Sequence, residues 1–270
     1  MSKKASLIPL LLATGAALAQ NSVVIPNGYE NNPGTSAFLG PIHSQSRTNQ
    51  FIIHESQLTS IVGQDITAIA FRLPASATDA WPLVEFSFFA YEIYLSDGVN
   101  PADRQFNFFA NVVGPRTIVR SGPLVVTPFS FSVGAAPNDF GPAIEFNDPW
   151  TYAGGNLIVE VFHTGHEQGF RNNDAVGTSE PGYLTEFANI WQGTGANPVQ
   201  GNFSIIKLIT EGGALTCPPD LNGDGVVDAD DFFLFLQLFA AGDMRADFNN
   251  DGVIDADDFF AFLNAFAQGC

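Results

Sequence analysis

Two aspartate-rich stretches near the C-terminus carry oxygen ligands at a spacing that suits a hard divalent cation: DLNGDGVVDADDF from Asp220 and DFNNDGVIDADDF from Asp247. A calcium loop must surround its ion with about six or seven oxygens from one short segment. The EF-hand arrangement draws them from loop positions 1, 3, 5, 7, 9 and 12, with glycine at position 6 for the sharp turn. The first stretch supplies Asp220, Asn222, Asp224, the Val226 carbonyl, Asp228 and Asp231, with Gly225 at position 6. The second supplies Asp247, Asn249, Asp251, the Val253 carbonyl, Asp255 and Asp258, with Gly252 at position 6. Every liganding slot is filled in both, so two Ca2+ ions are expected. Apolar Val227 and Ile254 occupy position 8, where two paired loops would touch.

Such loops need an element to hold them, and the residues that follow read as helices. Asp228 and Asp255 are good N-caps, and Asp231 and Asp258 fall at the third helical position, beside backbone N–H groups that lack intrahelical partners. The runs ADDFFLFLQLFA and ADDFFAFLNAFA then continue as helices. Aligning 222–240 with 249–267 gives fourteen identities in nineteen positions, the mark of an internal duplication. Phe232, Phe233, Leu234, Phe235, Leu236, Leu238 and Phe239 make the first helix apolar almost all round. A segment of this size cannot bury them all, so one side of the helix pair is expected to dock on another surface. Without metal the clustered aspartates repel one another, and metal binding is expected to drive folding of the module.

Pro218 and Pro219 stand where an EF-hand would have its entering helix, and position 12 is Asp in both loops. With two loop-plus-helix repeats, residues 217–270 resemble a dockerin module, and Cys217 with the terminal Gly269-Cys270 resembles the GC-type variety. The resemblance implies a cohesin-like or other envelope protein as partner. The chain departs from cohesin-binding dockerins at loop positions 10 and 11, where it has Ala229-Asp230 and Ala256-Asp257 in place of hydroxyl residues. It departs again at Leu236-Gln237 and Leu263-Asn264, where basic residues are usual.

Composition narrows the setting. Formal charge is −18, and 217–270 holds eleven Asp against the single Arg245. Nucleic acid is excluded as a partner because phosphate binding needs clustered Lys and Arg. Lys3 and Lys4 precede the apolar run ASLIPLLLATGAALA, which closes on Ala17-Leu18-Ala19. That is the layout of a secretory signal peptide over 1–19, and its middle is too short to span a bilayer. A secreted or cell-surface protein with no transmembrane segment is expected. In an oxidising compartment the two cysteines, Cys217 and Cys270, read as one disulfide bracketing the acidic module, worth about 4 kcal/mol in the chain-entropy account; the alternative is a terminal Cys270 thiol used for attachment. The predicted organisation is signal peptide 1–19, β-sandwich 20–213, linker 214–216 and calcium module 217–270.

Residues 22–213 alternate short apolar runs with turn residues, the pattern of an all-β sandwich, jelly-roll-like first and immunoglobulin-like second. ITAIAFRL from Ile66, FSFSV from Phe129, NLIVEVF from Asn156 and FSIIKLIT from Phe203 read as strands. In FSFSV, Phe129, Phe131 and Val133 are expected on one face. In VEFSFFAYEIYL from Val84 the apolar phase slips, which predicts a β-bulge near Phe88. The segments NQFIIHESQLTS, ITAIAFRL and DFGPAIEFNDPWTYAGGNLIVEVFHTG resemble a β-sandwich domain of secreted bacterial surface proteins, notably of planctomycete-type bacteria. That resemblance covers roughly 22–165 and implies fold and compartment, with no catalytic residues.

Within this domain HTGHEQ places His163, His166 and Glu167 after a strand, and its Thr-Gly reads as a surface turn rather than a metal site. His43 and His54 read as isolated residues. Glu85, Glu92, Glu145, Glu160 and Glu186 are the carboxylates a glycosidase could pair, with Glu85, Glu92 and Glu160 expected to face solvent. Trp81, Trp150, Trp191 and Tyr183 read as core or loop anchors before a sugar platform. No G-x-S-x-G elbow and no phosphate-cradling glycine loop occurs. The expected function is a non-catalytic surface protein anchored by its calcium module; the alternative is a carbohydrate-binding protein or polysaccharide hydrolase carried by that module.

Overall fold

The computed structural model describes residues 20–211, 219–222, 226–249 and 252–269. The expected signal peptide, the 214–216 linker, Cys217, Cys270, Asp224, Gly225 and Asp251 lie outside these.

In chain order the strands are β1 (Gln20–Ile25), β2 (Ser36–Phe38), β3 (Gln45–Ile53), β4 (Asp65–Phe71) and β5 (Phe86–Phe88). They continue with β6 (Tyr91–Gly98), β7 (Val112–Arg120), β8 (Leu124–Val126), β9 (Ile144–Thr151) and β10 (Leu157–Gly165). The last are β11 (Asn173–Val176), β12 (Phe187–Gly193), β13 (Val199–Gln200), β14 (Phe203–Ser204) and β15 (Ile206–Glu211). A single-turn helix, α1 (Phe108–Asn111), interrupts them, and the helix pair α2 (Ala229–Ala241) and α3 (Ala256–Gln268) follows. The fold is therefore β-rich with a C-terminal helix pair.

The strands form a six-stranded sheet in the order β13-β12-β3-β10-β6-β7 and a four-stranded sheet in the order β1-β15-β4-β9. Two smaller sheets, β14-β11-β2 and β5-β8, complete it. The run LIVEVFHTG becomes β10 because its β-branched residues favour a pleated, buried surface; it pairs with β3 on one side and β6 on the other. Leu157, Val159 and Val161 join Phe51, Ile53, Ile93 and Leu95 in one core with Ile66, Ile69 and Phe71 of β4 and Ile206 and Leu208 of β15. Both large sheets thus bury a face in the same cluster. An ion pair ties the residue that follows β4 to β11: Arg72, fully buried, donates to Asp174 at 2.8 Å and to the carbonyls of Tyr29 and Asn32. The Asp174 carboxylate also accepts from Gly34 N–H. Burial pushes its pKa up, opposed by that N–H and by Arg72.

Three sequence expectations need correction. The phase slip at Phe88-Phe89 is not a bulge. The chain leaves β5, which pairs with β8, and enters β6, which pairs with β10 and β7, so Phe89 sits between two sheets and faces solvent. FSFSV is not a strand: Phe129 has a left-handed backbone at φ 57° and is exposed, while Phe131 is buried and makes one isolated bridge to Trp81. FSIIKLIT is split, with β14 pairing to β11 and β15 pairing to β1 and β4.

In the helix pair, Phe235 and Phe262 stack with ring centroids 4.1 Å apart and planes 5° from parallel. Leu238 and Ala246 are buried beside them, with Phe232, Phe239, Phe248, Phe259 and Phe266 packed around. Gly242 ends α2 in a left-handed conformation at φ 65°, and Asp243 N–H returns to the Leu238 carbonyl at 3.0 Å, a closure that satisfies late helix carbonyls. Phe233 and Phe260, equivalent in the repeat, stay 58% and 60% exposed. A helix apolar on all sides has kept one side uncovered, as the crowding of Phe and Leu predicted.

Candidate metal centre

Each loop runs straight into its helix, and the same aspartates serve both. Asp228 and Asp255 cap α2 and α3 from an extended backbone, their Oδ1 atoms accepting from Asp230 N–H and Asp257 N–H, each at 2.9 Å. Reciprocally, Asp231 Oδ2 accepts from Asp228 N–H at 3.0 Å, and Asp258 Oδ2 from Asp255 N–H at 2.9 Å. These capping boxes satisfy helix N–H groups that would otherwise lack partners. The other oxygen of each position-12 carboxylate reaches across the loop. Asp231 Oδ1 accepts from Asn222 N–H at 3.1 Å, and Asp258 Oδ1 from Asn249 N–H at 3.1 Å and Phe248 N–H at 2.7 Å. One carboxylate therefore pins positions 3 and 9 of its loop together.

The repeats match residue for residue. Asp231 and Asp258 have no solvent-exposed surface, while Asp220 and Asp247 are half-buried and Asn222, Asn249, Asp228, Asp255, Val226 and Val253 are exposed. The N–H groups of Asp255, Asn249 and Phe248 hold the Asp258 carboxyl below the usual carboxylate range. In the second loop Gly252 takes φ 86°, a left-handed conformation suited to glycine, and its N–H donates to Asp247 Oδ2 at 2.9 Å. That bond folds the chain around the position-1 carboxylate.

These residues fit calcium. The donors are carboxylate, amide and carbonyl oxygens without nitrogen or sulfur, the set a hard cation takes. An ionised carboxylate has about four acceptor directions, so Asp231 and Asp258 keep acceptor capacity after the bonds above. Among the described residues no group of three or more His, Cys, Asp or Glu is gathered as a metal site; the position-5 carboxylates Asp224 and Asp251 lie outside those residues. No β-bridge between Val227 and Ile254 occurs among the described residues; Ile254 packs on the helix-pair core.

The β-rich domain places its chemistry differently from expectation. HTGHEQ is not a surface turn at its first histidine: His163 is fully buried on β10, its ring 5.0 Å from Phe88, its Nδ1 accepting from Gly165 N–H at 3.1 Å. Burial, reinforced by the Arg47 charge, pushes its pKa down to about 3. His43, read as isolated, is buried in the same electrostatic neighbourhood, with Nδ1 accepting from Gln45 N–H at 2.9 Å and its pKa lowered to about 4 by burial and then Arg47. His166 stacks on Phe86 at 4.0 Å and holds Gln168 N–H and the Ile42 carbonyl with its two nitrogens; burial lowers its pKa. His54 caps a short turn, as an ordinary loop residue would.

Glu160 is also not solvent-facing. It is buried against Arg116 at 2.6 Å and Gln50 at 2.9 Å, because Gln50 is itself tied to the Phe108 carbonyl of α1 and to Asn111. Glu92 accepts from the Tyr94 hydroxyl at 2.7 Å, Glu186 accepts from Gln57, and Glu85 and Glu145 are exposed. The aromatic anchors are dispersed. Trp81 packs on Phe86 and Phe131, Trp150 on Tyr152 and Trp191 on Phe38, while the Tyr183 hydroxyl donates to the Gly201 carbonyl. Leu83, Phe89 and Phe170 are all strongly exposed; sequence reading took the slip at Phe88-Phe89 for a bulge and did not single out Leu83 or Phe170, an isolated Phe within a polar loop being the available signal for the last.

With that geometry in place, comparison with family models, with curated proteins and with solved structures finds no match to the chain. No helix among the described residues is long and apolar enough to cross a membrane.

Proposed function

We propose that residues 217–270 form a dockerin-like module that folds around two calcium ions and attaches a secreted, non-catalytic β-domain to an extracellular or cell-surface partner. The observation that carries this reading is one geometry repeated twice: a buried position-12 aspartate that caps the following helix and clasps position 3 of its own loop. Bound calcium would supply the positive charge that such clustered carboxylates lack. Asp220, Asn222, Val226, Asp228 and Asp231 would hold one ion, and Asp247, Asn249, Val253, Asp255 and Asp258 the other, with Asp224 and Asp251 completing each set. Because the loops carry the helix caps, ordering a loop and starting its helix are one event, and binding free energy becomes folding free energy. The exposed Phe233, Leu236 and Phe260 offer the partner an apolar face, in keeping with the absence of basic residues at Leu236-Gln237 and Leu263-Asn264.

For the β-rich domain we favour a jelly-roll-like sandwich, supported by the single core that the four- and six-stranded sheets share. Amide hydrogen exchange on the full chain tests the attachment reading. In excess chelator, protection should vanish from α2 and α3 while β3 and β10 keep theirs; helices equally protected with and without calcium would remove it.

A further inference from the structure

A run of depressions crosses the β-rich domain beside the segment that joins β10 to β11. The largest of them, of about 540 Å³, is lined by Ser44, Glu85, Ser87, Thr164, His166 and Glu167, together with Phe89 and Gln168. Gln168 also lines the next depression, with Trp81, Leu83 and Phe170. Phe170 and Arg171 lead on to a third, with Pro74 and Ser76, and these two belong as well to a fourth beside Thr35 and Ser36. Each depression shares lining residues with the next, so the four follow one another in series as a segmented groove. A groove of that form suits a chain molecule better than a compact ligand.

Its surface is mixed in a specific way. Phe89 is 86% exposed, and Leu83 and Phe170 are each 67% exposed, although this domain buries dozens of other apolar side chains in its core. Exposed apolar groups gathered along a concavity mark binding surfaces. Phe170 lies over the buried His43 ring, centroids 6.5 Å apart and planes 21° from parallel, which holds it as a platform. His166 forms a fixed wall, since both nitrogens are engaged by backbone groups and its ring is stacked on Phe86. The largest depression is lined mainly by hydroxyl, amide and carboxylate groups, the next adds the apolar Trp81 and Leu83, and Arg171 is the one Lys or Arg among the lining residues of the four.

Pyranose rings match this pattern. Their C–H faces stack on exposed aromatic rings, and their hydroxyls donate to carboxylate and amide oxygens. The lining carboxylates and the formal charge of −18 disfavour a polyanion. We infer that this groove binds a neutral polysaccharide chain, with Phe89 and Phe170 as stacking platforms and Glu85, Glu167 and Gln168 as hydroxyl acceptors. The inference goes beyond the attachment reading and shares no residue with it.

Affinity gel electrophoresis of the full chain tests it, with mixed-linkage β-glucan, xylan, galactomannan or dextran in the gel and polygalacturonate as the acidic comparator. At least one neutral polymer should retard the protein, equally in calcium and in EDTA, which separates this site from the calcium module. The double variant Phe89→Ala/Phe170→Ala should weaken that retardation by about tenfold, or about 1.4 kcal/mol. Both side chains are exposed, so an unchanged tryptophan emission confirms that the variant is folded; Glu167→Gln gives a second, isosteric probe with a smaller loss. Failure of every neutral polymer, retardation by polygalacturonate alone, or undiminished binding by the double variant would overturn the assignment.

Discussion

Lowering the pH from 7 to 5 is expected to destabilise the β-rich domain through its buried histidines, and the size of the effect follows from their surroundings. His163 titrates at about 3 and His43 at about 4 in the folded protein, against about 6.5 for an unfolded chain. Because the folded values are lowered, the unfolded state binds protons first as pH falls. Stability is therefore full above about pH 6.5 and is lost on descending from there toward the folded values of 4 and 3. At pH 5 an unfolded histidine is almost fully charged while these two are still neutral, a difference of about 2 kcal/mol each and about 4 kcal/mol together. His166, also lowered by burial, acts in the same direction. The hydrogen bonds agree: Nδ1 of all three accepts a backbone N–H, an arrangement a protonated ring cannot keep. Urea titrations followed by tryptophan emission isolate this domain, since all three tryptophans lie in it and none in 217–270. At constant calcium the unfolding free energy should drop by about 4 kcal/mol between pH 7 and 5, and His163→Leu should remove about half of that slope. A stability unchanged across that interval would refute the argument.

Three further substitutions probe the two parts of the chain, one in the strands and two in the helix pair. Asp174→Ala strips the partner from the fully buried Arg72, and an uncompensated buried charge should cost about 3–5 kcal/mol in the same urea titration; a loss under about 1 kcal/mol would show that the pair is solvated. Phe235→Ala removes one ring of the central stack with Phe262, a loss of about 3–5 kcal/mol from a small core. Calcium should then no longer induce the helical circular dichroism of the C-terminal module, and Phe233→Ala, at an exposed position, should leave it intact.

The parts legible in the sequence are those whose physics is local. Asp228 with Asp231, and Asp255 with Asp258, announce helix starts because a capping box needs only residues three apart, and both form. LIVEVF was legible as a strand because its β-branched run suits only a buried strand in this context. What was not legible depends on distant chain. Whether Phe88-Phe89 marks a bulge or a crossing is decided by which partner each half finds, and β8 and β10 lie far along the sequence. Alternation assigned Glu160 to solvent, yet residues 105–111 fold over that face and bury it through Gln50 and Asn111. His163 follows a similar logic: two residues beyond Val161 on one strand, it shares the inward face, and only a sheet extending past Val161 reveals that it is core. The groove escaped notice because its walls come from five separate stretches of chain.

The central claim is that calcium organises the C-terminal helix pair, and isothermal titration of the chelator-stripped full chain tests it most directly. Two calcium ions should bind per chain with a heat change, accompanied by a gain of helical signal, and Asp258→Ala should abolish uptake at the second loop. No heat of calcium binding, or a helical signal already complete in chelator, would contradict the account.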